Sequence, residues 1–220
     1  MTSGANSASL HTVATPEDVL ALSPVIPVVV IDRVADAVPL AQALLRGGVP
    51  VIEITLRTAA GLEAIKAVAA DVEGMVVGAG TVLTPEQAEA VVVAGAEFIV
   101  TPASPPKLLD AVLDTGVPAL AGAGTLTEMM ALAERGLLAQ KFFPAEASGG
   151  REYLRAVAGP CPHLTFCPTG GITPETAPRY LELPNVGCVG GSWLTPKSAV
   201  EAGDWAWIEG LAAEAATLRG

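Results

Sequence analysis

Residues 51–58 read VIEITLRT. Along an extended chain Ile52, Ile54 and Leu56 point to one side, and Glu53, Thr55 and Arg57 point to the other. Taken alone, this is a strand with one face in water. The neighbouring runs, PVVVI at 27–31 and MVVGAGT at 75–81, are apolar on both faces. A strand among such neighbours has no surface to offer a row of Glu, Thr and Arg. It needs an interior to point into.

Five further apolar runs follow: FIVTPA (98–103), ALAGAGT (119–125), KFFPA (141–145), TFCPTGG (165–171) and VGCVGGSW (186–193). The eight runs recur about every 20–25 residues, the length of one strand–helix step in a parallel sheet. The stretches between them carry helix signals. Thr-Pro-Glu occurs at 15–17, 84–86 and 173–175, with Thr suited to the N-cap, Pro to the first turn and Glu to the positive helix end. Thr84 and Gln87 fit a capping box. Gly47, Gly95, Gly116 and Gly136 fall where helices should stop in a left-handed C-cap. Leu108, Leu109, Val112 and Leu113 make one apolar stripe.

This alternation predicts an α/β chain: a single closed (β/α)8 TIM barrel over 14–220, with a short helix near 16–22 and residues 1–13 as a flexible N-terminal tail. An open, doubly wound sheet alternates in the same way. The glycines favour the barrel: no G-x-G-x-x-G follows the first run, and Gly and Pro crowd the C-terminal ends of several strands. In a barrel the outer face of each strand is covered by helices. Glu53, Thr55 and Arg57 are then expected to face inward, where an unpaired charge costs several kcal/mol.

The chain is 51% hydrophobic and 16% charged, which suits a well-buried core. No apolar run approaches the roughly 18 residues of a membrane-spanning helix. MTSGANSASL lacks the basic and apolar regions of a signal peptide, so none is expected. A net charge of −11 argues against nucleic acid and anionic membranes. An anionic ligand would have to be met by a local gathering of basic groups and N–H donors. Cys161, Cys167 and Cys188 form no disulfide or zinc pattern, and a reducing, cytoplasmic setting is the expectation. Cys167 and Cys188, in apolar runs, read as small buried hydrophobes. His11 falls in the tail and His163 in the PCPH loop, so neither is placed as a base or metal ligand. No metal is expected.

Three side chains could carry chemistry. Arg57, expected last on its strand, could clamp a carboxylate bidentately at the barrel mouth. Glu53 lies deeper on the same face; a Glu–Arg pair that only fixes the core is the alternative. Lys141 is one of four lysines and the only one inside a predicted strand. It either snorkels to water or projects inward beside Glu53. Schiff-base chemistry needs a neutral amine, which burial and a neighbouring cation favour and a carboxylate opposes. TGG at 169–171 and GGS at 190–192 end the seventh and eighth strands, where barrels often bind phosphate through glycine N–H groups. Tight turns that merely need glycine would read alike.

In this order, PVIPVVVI, GGVPVIEITLRT, VGAGTVL, KFFPAEASGG, FCPTGGIT and GGSWL resemble the bacterial 2-keto-3-deoxy-6-phosphogluconate aldolases, which include 4-hydroxy-2-oxoglutarate aldolase activity. The resemblance runs from about Pro24 to the C-terminus. It implies a class I aldolase releasing pyruvate and glyceraldehyde 3-phosphate, with Lys141 as the Schiff-base lysine and Glu53 as general acid/base. It further implies Arg57 on the carboxylate and Thr81 near the pyruvate moiety. Thr169, Gly170, Gly171, Gly191 and Ser192 would hold the phosphorylated end. A homotrimer without cofactor or metal is implied too. Two positions depart from the family pattern: Ala103 stands in Thr-Pro-Ala where Gly is usual, and Ala121 stands where Pro is usual. Both bear on substrate length and stereochemical preference. Another phosphate-binding barrel, an isomerase or epimerase, would share the glycine loops but need no imine. A non-catalytic sugar-phosphate sensor would give Lys141 no required role.

Overall fold

The computed structural model describes residues 13–219. The expected tail, His11 included, lies outside the described residues except for Val13. Helix α1 (Pro16–Ala21) starts where the Thr-Pro-Glu signal places it, and Thr15 and Asp18 close a reciprocal capping box. At α4 (Pro85–Val93) Thr84 caps the Gln87 N–H, but the Gln87 side chain reaches past Thr84 to the Leu83 N–H at 2.7 Å. The box expected there is therefore half formed. The third Thr-Pro-Glu does not start its helix. Thr176 turns back to accept from the Thr173 N–H at 2.9 Å, and this turn delays α8 to Ala177–Leu181.

Gly95, Gly116 and Gly136 are left-handed as expected, with φ of 98°, 75° and 83°. Gly47 is not: its φ is −73°, and Gly48, at 85°, takes the left-handed turn after α2 (Ala37–Arg46). Gly47 serves close approach instead. A Cβ there would lie 2.5 Å from the Ala212 Cβ of α10 (Trp205–Ala216).

The described strands are β1 (Val25–Val29), β2 (Val51–Thr55), β3 (Val76–Gly80), β4 (Phe98–Val100), β5 (Ala119–Leu120), β6 (Gly122–Ala123), β7 (Ala139–Phe142), β8 (Thr165–Pro168) and β9 (Val189–Gly191). Every pairing between them is parallel. They run β5-β4-β3-β2-β1-β9 in one sheet and β6-β7-β8 in the other. The fifth expected run is thus two segments, parted only by buried Ala121. Between β8 and the β9 segment, isolated bridges pair Phe166 with Val186 and Thr169 with Gly190.

On β2, Ile52 and Ile54 are fully buried, and α2 and α3 (Gly61–Asp71) pack on this strand. Glu53 and Thr55 are buried as well. The alternation therefore separates two buried faces, not a dry one and a wet one. Thr55 satisfies its hydroxyl by donating to the Val29 carbonyl at 2.9 Å. Leu108, Leu109 and Val112 bury the stripe of α5 (Pro106–Asp114), with Leu113 only partly covered. Among the described residues no helix is long and apolar enough to cross a membrane.

Candidate active site

Glu53 and Lys141 meet. Parallel pairing puts Glu53 opposite Gly78 and Val28, and Lys141 opposite Gly122 and Cys167. The lysine Nζ donates to Glu53 Oε1 at 3.3 Å, with side-chain exposures of only 5% and 4%. The Lys141 N–H is anchored to the Ala121 carbonyl at 3.0 Å, so the amine springs from a fixed strand. Lys66, Lys107 and Lys197 are exposed, and none shares this setting. A buried ion pair of this kind does little for stability, but stripping it of one partner costs about 3–5 kcal/mol.

Two neighbours of the pair were not singled out in the sequence. Gly80 makes room for the carboxylate: a Cβ at that position would sit 2.1 Å from Glu53 Oε1. Phe143 places its ring 5.4 Å from Lys141 Nζ, within reach of a cation–π contact. The signals were present, a glycine ending a strand and an aromatic two residues after the lysine. Neither identifies its partner without coordinates.

Arg57 departs from expectation. The last ladder bond of this strand runs from the Leu56 N–H to the Gly80 carbonyl at 2.8 Å. Beyond it the chain turns away, with the Thr58 hydroxyl bound to the Ile31 carbonyl. Arg57 therefore lies two residues past the end of β2, exposed on a turn, rather than last on the strand. Among the described residues it has no salt-bridge or hydrogen-bond partner. Thr81 follows β3 directly and is the one non-glycine residue with positive φ among those described, at 58°. For a β-branched side chain this is a strained conformation.

The glycine loops converge. Thr169 is buried and bridged to Gly190, and a Cβ on Gly190 would lie 2.2 Å from its hydroxyl. Its carbonyl accepts from the Ala145 N–H at 2.8 Å, tying the loop after β8 to the loop after β7. Gly170 and Gly171 have φ of 103° and 83°, a backbone that glycine adopts freely. Ser192 is exposed just after Gly191. It lines a cavity of about 620 Å³ together with Val28, Asp32, Arg33 and Lys197. A second cavity, of about 490 Å³, opens between α5 and α6 (Leu126–Glu134) and is lined by Ala103, Pro106, Leu109 and Arg135. The Lys141–Glu53 pair lines neither.

Cys161, Cys167 and Cys188 are buried and unpaired. Burial, with Cys167 alongside, pushes the Cys188 thiol well above its usual range, so it stays protonated. A buried amine beside a buried carboxylate can form an imine and shuttle the proton.

The family model described as KDPG and KHG aldolase matches residues 17–211. The chain belongs to the KDPG and KHG aldolase family. It is 48% identical to the KHG/KDPG aldolase of Escherichia coli strain K12, over 90% of this chain and 93% of that one. Among solved structures, it superimposes on the KDPG aldolase of Legionella pneumophila with a TM-score of 0.90 at 42% identity, covering 92% and 98% of the two chains. That enzyme holds pyruvate as a covalent carbinolamine intermediate. The KDPG aldolase of Zymomonas mobilis ZM4, solved with 3-phosphoglycerate, matches with a TM-score of 0.87 at 44% identity over 93% and 96%. The Schiff-base aldolase expected from the sequence is therefore the class of this enzyme.

Proposed function

We propose that this chain cleaves 2-keto-3-deoxy-6-phosphogluconate to pyruvate and glyceraldehyde 3-phosphate through an imine on Lys141, and that it accepts 4-hydroxy-2-oxoglutarate as well. One observation carries the assignment of the lysine: of four lysines, only Lys141 is buried, and it is bonded to a buried carboxylate. Lys141 Nζ adds to the C2 ketone, and loss of water gives the iminium. Glu53 takes the C4 hydroxyl proton, the C3–C4 bond breaks, and its electrons pass to the iminium nitrogen as the aldehyde leaves. Glu53 returns the proton to C3 of the enamine, and water releases pyruvate. One carboxylate serves both steps because it keeps the proton it took.

Arg57, exposed on the turn after β2, would bind the substrate carboxylate, with Thr81 beside the pyruvate portion. Thr169, Gly170, Gly171, Gly191 and Ser192 would receive the phosphate, so that both ends of the substrate are held. Support comes from the motif order and from the convergence of the two glycine loops. We further read the two sheets as one closed (β/α)8 barrel over 14–220. The continuity of β5 and β6 through Ala121 and the bridges between β8 and β9 support that reading. A homotrimer in the cytoplasm, working without cofactor or metal, completes the proposal.

Incubation with pyruvate and borohydride should leave one covalent adduct, on Lys141, by peptide mapping. An adduct on Lys66, Lys107 or Lys197, or none, refutes the assignment.

A further inference from the structure

We infer that Tyr180 and Glu146 are positioning residues that set the preference for a phosphorylated substrate by holding the Gly170–Gly171 loop in shape. This rests on the reading of that loop as a phosphate site.

Tyr180, on α8, is 1% exposed, and its hydroxyl donates to Glu146 Oε1. A buried phenol needs such a partner, and a carboxylate is a strong one. The hydroxyl also faces the start of α7 (Gly150–Ala158), where a Cβ on Gly150 would lie 3.1 Å from it. Burial first, and then the Glu146 carboxylate, raise its pKa, so the phenol remains a donor. Arg151 Nε donates to the Arg179 carbonyl at 2.7 Å, giving α7 and α8 a second tie.

Glu146 passes this anchorage to the loop in two ways. Its backbone N–H donates to the Gly170 carbonyl at 3.1 Å. Its side chain lies over Gly171: a Cβ there would come within 2.7 Å of Glu146 Cγ and 2.8 Å of its Cβ. Gly170 is flanked on its other side by the Phe143 ring, 3.4 Å from where a Cβ would stand. The loop is thus clamped between Phe143 and a carboxylate whose one hydrogen-bond partner among the described residues is the Tyr180 hydroxyl. Among the described residues the Gly171 N–H has no backbone partner, which leaves it open to a phosphate oxygen. Glu146 itself is too exposed to be fixed by packing. Without the phenol it can swing to solvent, and the two glycines regain their freedom.

The test compares steady-state kinetics on 2-keto-3-deoxy-6-phosphogluconate and on 4-hydroxy-2-oxoglutarate, which carries no phosphate. Tyr180→Phe and Glu146→Ala should raise KM for the phosphorylated substrate about tenfold, the effect of losing one charge-assisted hydrogen bond. The kcat should hold within about twofold, with both constants for the unphosphorylated substrate unchanged. Glu146→Gln keeps an acceptor for the phenol and should restore most of the lost affinity. A fall on both substrates together means that Tyr180 merely supports the fold, and overturns the inference. Ser192→Ala separates the two levels. If it raises KM for the phosphorylated substrate while Tyr180→Phe and Glu146→Ala do not, the positioning role is wrong and the phosphate site stands. If Ser192→Ala also leaves that KM unmoved, the phosphate reading falls and the inference with it.

Discussion

Gly80→Ala is the sharpest probe of the buried pair. A methyl group there would lie 2.1 Å from Glu53 Oε1, 2.6 Å from Cγ and 2.7 Å from Cδ. To regain an ordinary contact of 3.4 Å the oxygen must retreat by about 1.3 Å. That oxygen is the acceptor of the Lys141 hydrogen bond, already long at 3.3 Å. Misplacement of a catalytic group by about 1 Å costs roughly 100-fold in rate. Overpacking of this kind also costs about 1–3 kcal/mol, or roughly 2–12 °C in Tm for a chain of this size. Strand strain is not a confounding cost, because Gly80 is not among the positive-φ glycines. Gly78→Ala is the control. Its methyl lies in the same strand but would strike the Phe98 ring, 2.2 Å away, whose atoms are its three nearest neighbours. Both variants should lose Tm by thermal denaturation. Only Gly80→Ala should lose about 100-fold in kcat and trap pyruvate slowly with borohydride. If the two variants share the same kcat, the position of the Glu53 carboxylate does not limit the chemistry and the reasoning is wrong.

Arg57→Ala should raise KM for pyruvate about tenfold or more while leaving Tm within about 1 °C, because the side chain is exposed and has no partner among the described residues. An unchanged KM removes it from the carboxylate site. Thr81→Gly should leave Tm nearly unchanged: relief of a left-handed β-branched residue, about 1–2 kcal/mol, offsets the roughly 0.5–1 kcal/mol entropy cost of glycine. Pyruvate binding should weaken in the same variant, and intact binding would separate the strain from function. Glu97→Gln tests a pH dependence. Burial raises the Glu97 pKa above 4.5, with the Val77 N–H bond opposing. The folded protein therefore keeps a proton that the unfolded chain has lost, and stability falls as pH rises through that window. Glutamine removes this loss, so Tm should exceed that of the unaltered chain at pH 7 and match it near pH 4. An equal gap at both pH values would mean that ionisation is not the cause.

How much of this was legible in the sequence depends on how local the cause is. The alternation of VIEITLRT was enough to send Glu53 inward, because strand periodicity is a property of adjacent residues. Lys141 was legible as an apolar-run lysine, and the Thr15 cap as a four-residue pattern. The errors share a different cause. Periodicity continues through Leu56 and Arg57, but a strand ends where its ladder does. That is decided by the Gly80 carbonyl and by the Thr58 hydroxyl reaching Ile31. Gly47 and Gly48 are equivalent as local helix stops. What separates them is α10, which arrives late in the chain and would collide with any side chain on Gly47. The site has the same dependence on distant partners: Gly80 matters because of Glu53, and Tyr180 because of Glu146, 34 residues away. The residues proposed to carry the chemistry, Glu53 and Lys141, announce themselves by being charged where charge is expensive. The residues that aim them are glycines and aromatics, ordinary core components until their partners are known. Substitutions at Gly80 and Tyr180 should therefore be as informative about this enzyme as substitutions at Lys141. They test whether the carboxylate and the glycine loop are held in place, where a change at Lys141 tests only whether the amine is needed.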